Sequence, residues 1–66
     1  MEYKDLKVEL FRKNISYEEV SKGIGISKSA FINKINGKTN FTLDEAINIA
    51  SLLKLSNNQK RKIFHF

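Results

Sequence analysis

Cysteine and proline are both missing from this chain, and histidine occurs once. Without cysteine, neither disulfides nor thiolate metal ligands reinforce the core. A single histidine leaves a buried structural zinc dependent on carboxylates, an unusual donor set for that ion. The predicted cofactor content is therefore none. No apolar run approaches the roughly 20 residues that cross a bilayer. Residues 1–13 mix charges of both signs and lack the apolar stretch of a secretory leader. These absences predict a cytoplasmic protein without a membrane partner. On that expectation the sequons Asn14-Ile15-Ser16 and Asn40-Phe41-Thr42 are chance matches.

Acidic residues are also missing between positions 20 and 43, although the chain as a whole carries them. The formal charge is +5, and its distribution says more than its sum. Residues 1–19 hold four basic and five acidic groups, whereas 20–43 hold Lys22, Lys28, Lys34 and Lys38 alone. Asp44 and Glu45 follow, and Lys54, Lys60, Arg61 and Lys62 form a second basic block. A basic surface is the electrostatic footprint of a polyanionic partner, but lysines also solubilise small domains. Charge alone leaves both readings open.

The 66 residues suffice for one domain, taken as 1–66. A domain of this size buries only about 60% of the surface its unfolded chain exposes, so its margin of stability is thin. Helix packing has to supply that margin, with dimerisation as a further source.

Apolar residues recur at helical spacing, and β-branched alternation is rare, so the predicted fold class is all-α with five short helices. The first spans Tyr3 to Lys13, with Tyr3, Leu6 and Leu10 on one stripe and Phe11 beside it. The second opens on the capping box Ser16-Tyr17-Glu18-Glu19, buries Val20 and Ile24, and ends near Gly23 and Gly25. The third is capped by Ser27, buries Phe31 and Ile35, and stops at Asn36-Gly37. The fourth opens on Thr42-Leu43-Asp44-Glu45 and sets Leu43, Ala46, Ile47, Ala50 and Leu53 on its inner side. The fifth opens on Ser56-Asn57-Asn58-Gln59 and runs through Lys60 to Phe64.

The segment 16–37 carries the functional signal. A capped helix, a glycine-containing turn and a second short helix form the helix-turn-helix arrangement. Its chemistry needs a second helix that is anchored on one side and leaves its first turn free to enter a major groove. With Phe31 and Ile35 inward, Lys28, Ser29 and Asn33 face outward as candidate base contacts. Lysine donates to guanine O6 and N7, asparagine pairs with adenine, and serine bonds to several base edges. Lys34 and Lys38 flank that face as candidate contacts to phosphate. An ordinary helical hairpin with a solvated lysine face would carry the same lysines; charge and spacing together favour double-stranded DNA as partner.

From Leu6 to about Leu55 the sequence resembles the lambda-repressor-like (Cro/repressor, XRE-type) helix-turn-helix family. The similarity rests on Gly25-Ile26-Ser27 before the third helix, Asn36-Gly37-Lys38 after it, and the closing helix from Leu43 to Leu55. It implies a compact five-helix domain that binds operator DNA, commonly as a dimer, in a phage-type transcriptional regulator. Carried over by position, it implies base contacts from Lys28, Ser29 and Asn33 and backbone contacts around Tyr17, Asn36 and Lys38. Tyr17 stands where such proteins often have glutamine, Ser21 where they usually have alanine. Phe31 and Ile35 are spaced by four residues where many relatives have three.

At the chain end, Ile63, Phe64 and Phe66 either close the core or form part of a two-fold interface. The basic run before them is a further candidate for phosphate. Catalytic constellations are not evident, and no enzyme activity or small-molecule substrate is expected. His65 has no second histidine or cysteine with which to build a nucleophile–base pair. Gly23-Ile24-Gly25 follows no strand, so it is not a dinucleotide loop. The competing function is a protein-interaction module on the same fold, antirepressor or antitoxin-like, with Ile32 and Phe66 as contacts.

Overall fold

The computed structural model describes residues 2–65 and arranges them as α1 (Lys4–Arg12), α2 (Tyr17–Ile24), α3 (Lys28–Ile35), α4 (Leu43–Leu52) and α5 (Asn57–Phe64). No strand occurs among the described residues. Phe66, one of the expected contact residues, lies outside them.

Helix starts are set by hydroxyl side chains. Ser16, Ser27, Thr42 and Ser56 each accept the backbone N–H three residues on, at 3.1, 3.1, 3.1 and 3.2 Å. In α2, α4 and α5 the residue at that third position reciprocates: Glu19, Glu45 and Gln59 accept the cap residue's own N–H. These reciprocal pairs satisfy donors that a helix start otherwise leaves without partners. α1 has no side-chain cap. Just before it, the N–H of Tyr3 donates to the carbonyl of Ile35 at 2.9 Å, tying the chain's first described segment to the end of α3.

Helix ends share one device. After α1, α2, α3 and α4 a residue with positive φ reverses the chain: Asn14 (56°), Gly25 (79°), Gly37 (88°) and Lys54 (55°). Each following residue donates its N–H back to the carbonyl five positions earlier: Ile15 to Leu10, Ile26 to Ser21, Lys38 to Asn33 and Leu55 to Ala50, at 2.9–3.0 Å. This is the Schellman arrangement, which satisfies carbonyls at the helix end. It also delivers the next apolar residue to the core: Leu55 is buried, and Ile15 and Ile26 pack against it from the edge.

The core joins all five helices through Leu6, Leu10, Val20, Phe31, Ile35, Ile49, Ala50, Leu53, Leu55 and Ile63. α2 packs against α3 and α4, and α1 against α3 and α5. The radius of gyration of 10.5 Å is near the roughly 10.8 Å of a compact chain of this length, so no described segment stands away from the body. Ile63 is buried and Phe64 packs on the core, so both close the interior. Ser21 is buried too, and its hydroxyl donates to the Glu18 carbonyl at 3.0 Å.

Two inner faces differ from the sequence expectation. On α4, Leu43 and Ile47 are 65% and 48% exposed, and Ile49 is buried in their place beside Ala46 and Ala50. At about 100° per residue the buried stripe centres between Ala46 and Leu53. Ile49 lies about 50° from that centre, whereas Ile47 lies about 110° away. On α1, Phe11 is 86% exposed, because the turn from Leu10 carries it off the stripe. Glu9 takes the inner flank instead and accepts from Arg12 Nη1 at 3.1 Å.

Candidate nucleic-acid interface

α3 is held from behind by an aromatic cluster. The Phe31 ring is fully buried between Tyr17 and Phe41, at centroid distances of 5.4 and 5.6 Å. Phe41 in turn meets Tyr3 at 5.0 Å and Phe64 at 6.0 Å. These rings come from the approach to α1, the first residue of α2, the α3–α4 connection and the last residue of α5. Each such pair adds about 0.5–1.5 kcal/mol beyond its buried area, and together they restrain where α3 sits. Ile35, one turn on, is likewise fully buried.

The opposite side of α3 is uncovered. Ser29, Asn33 and Asn36 are exposed, and at about 100° per residue they fall on one stripe roughly 60° wide and about 10 Å long. Lys28 is exposed as well, though its angular position lies nearer the buried side. It is open because it occupies the first turn, where the turn at Gly25-Ile26-Ser27 leaves the helix end uncovered. The left-handed φ of Gly25 makes that tight turn, in a conformation that costs a residue with a Cβ about 1–2 kcal/mol.

The candidate phosphate contacts are placed differently from one another. Lys38 is exposed beyond α3, and its backbone N–H closes that helix on Asn33. Asn36 caps the helix. Tyr17 is half-buried, its ring committed to Phe31. Lys34 departs from expectation: its ammonium donates to Glu45 Oε1 at 2.7 Å, and the two side chains are only 17% and 16% exposed. The expected contact of Lys34 with a backbone phosphate has to compete with this partner. The cause is the helix angle, which points Lys34 to the flank that meets the start of α4. Ile32, at the other flank, is half-buried.

Glu45 Oε1 also accepts the Thr42 N–H at 2.9 Å. Burial disfavours its charged form, but the Lys34 hydrogen bond, the Thr42 amide and the ammonium charge outweigh that and hold the carboxyl below its usual value. Among the described residues, no cluster of three or more His, Cys, Asp or Glu side chains is gathered to hold a metal, and no helix is long and apolar enough to cross a membrane. A hollow of about 330 Å³ beside the α1–α2 turn is lined by Leu10, Phe11, Asn14, Ile15, Ser16 and Glu19, none of them from α3.

Sequence reasoning missed Phe41. It belongs to no helix, so no periodicity marks it; its aromatic character beside the Thr42 cap was the available signal. No protein-family profile, no curated protein and no solved structure matches this chain.

Proposed function

We propose that this chain is a DNA-binding module of the lambda-repressor-like helix-turn-helix type, acting as a sequence-specific transcriptional regulator of the repressor kind. α3 enters the major groove, with Lys28, Ser29 and Asn33 at base edges and Asn36, Lys38 and Tyr17 toward the backbone. The observation that carries this reading is the two-sidedness of α3. Phe31 and Ile35 are fully buried, while the polar stripe opposite them is open and free of acid. An eight-residue helix so mounted is about 12 Å long, comparable to the width of the major groove. A second copy on a two-fold axis would set two such helices about 34 Å apart, on successive turns of the duplex.

Binding to a short random duplex, followed by fluorescence anisotropy, tests the reading. Lys38, neutralising one phosphate, sets a slope of log K against log salt of at least about −0.9 in magnitude, roughly a 3.5-fold loss between 50 and 200 mM, and each further phosphate contact adds about as much again. Absence of binding at the lower salt removes the proposal.

The competing reading, a protein-interaction module, draws on Phe11 and Val8, which share one exposed side of α1. A chain that ignores duplex DNA but loses a protein partner on Phe11→Ser would favour it.

A further inference from the structure

The ion pair between α3 and α4 bears on how many cations a duplex can recruit, and its meaning rests on the DNA-binding reading above. Lys34 lies in the last turn of α3, two residues before Asn36 of the exposed stripe. As a free side chain it is a natural phosphate contact. It is not free. Glu45 Oε1 accepts its ammonium at 2.7 Å while also accepting the Thr42 N–H at 2.9 Å. The carboxylate is thus fixed from two sides: by its place in the cap of α4 and by the lysine. Both partners are largely removed from solvent, where a charge pair is poorly screened and hard to separate.

We propose that Glu45 acts as an internal stand-in for phosphate, withholding Lys34 from the nucleic acid and setting the basic face one cation below its formal count. Glu45 is a positioning residue in this role, since it touches Lys34 and not the duplex. The capping function and the withholding function of Glu45 are separable. Gln59 occupies the same capping position in α5, and its amide oxygen accepts the Ser56 N–H at 2.9 Å. Glu45→Gln therefore uses a cap that this chain already contains and removes only the charge that holds Lys34.

The test compares wild type, Lys34→Met, Glu45→Gln and the double variant on the same random duplex across a salt series, with circular dichroism to show that each is folded. Lys34→Met should leave the salt slope unchanged, because the withheld ammonium neutralises no phosphate. Glu45→Gln should steepen the slope by about 0.9, so that its advantage over wild type shrinks about 3.5-fold between 50 and 200 mM. The double variant should return to the wild-type slope.

A purely structural pair would weaken binding on either substitution and would not steepen the slope. If Lys34→Met alone flattens the slope, Lys34 already reaches the duplex and the inference is wrong. If the double variant stays as steep as Glu45→Gln, the gain comes from lost acid charge in general, and the inference is wrong again. Wild-type binding with a flat Glu45→Gln response overturns this inference alone. No wild-type binding overturns the DNA reading, and this inference with it.

Discussion

Lys54 closes α4 in a conformation that suits glycine, and replacing it should stabilise the protein. Its φ of 55° places a side-chain-bearing residue in the left-handed region, and its own side chain is exposed. That geometry costs an L-residue about 1–2 kcal/mol. Glycine removes the strain but has a more flexible unfolded chain, which returns about 0.5–1 kcal/mol. The net gain for Lys54→Gly is therefore about 0–1.5 kcal/mol, centred near about 0.75 kcal/mol. With an unfolding entropy of about 2.1 cal/mol/K per residue, a domain of this length rises by about 5 °C in Tm at that centre and by at most about 11 °C.

The same arithmetic has the opposite sign at Gly25. There alanine meets no atom within 4 Å, but the backbone stands at φ +79°. Gly25→Ala should lower Tm by a similar amount and loosen the turn that sets α3 against α2. Asn14→Gly should change little, because asparagine tolerates this region. Thermal melts of the three variants followed by circular dichroism give the ordering. A Lys54→Gly protein that melts below wild type would refute the reasoning, because it would mean that Lys54 contributes more than its strained backbone costs.

Two further outcomes are expected. Asn33→Ala should cost about 1–3 kcal/mol at one base position and relax preference there, whereas Lys38→Ala should weaken all sequences alike; selection from a random duplex pool with each variant separates them, and an unchanged preferred sequence with Asn33→Ala would show that the reading face is misplaced. The stability contributed by Glu45 should depend on pH, because its carboxyl is held below its usual value in the folded protein. A carboxyl depressed by folding stabilises fully above its unfolded value and loses that contribution as pH falls through the folded one. The Tm gap between wild type and Glu45→Gln should thus be widest near neutrality and close on acidification below about pH 4.5; a gap that stays constant down to pH 3 would contradict the ion pair.

What was legible in the sequence follows the range of the interactions involved. Ser16, Ser27, Thr42 and Ser56 were readable as helix starts because a cap acts over three residues and leaves a local signature. Phe31 and Ile35 were readable because α3 is short and only one of its sides is apolar. The i, i+3, i+4, i+7 pattern counted from Leu43 takes in Ile47 and passes over Ile49, whereas the buried stripe centres between Ala46 and Leu53 and takes in Ile49. Phe41 sits between helices, where burial has no period. The Lys34–Glu45 pair links residues 11 apart on different helices, so nothing local announces it. The exposed stripe of α3 was legible as a polar side; the partner that Lys34 finds beside it was not.

The rings of Tyr3 and Phe64 lie 6.0 Å apart, so side chains from the two outermost stretches of the described chain meet at one corner of the fold. A linker joining those two stretches would leave the contact in place, and the exposed stretch at Thr39-Asn40 is the kind of place where new termini are tolerated. The contact between Tyr3 and Phe64 thus fastens the approach to α1 onto the last residue of α5, so loosening either stretch frees the other.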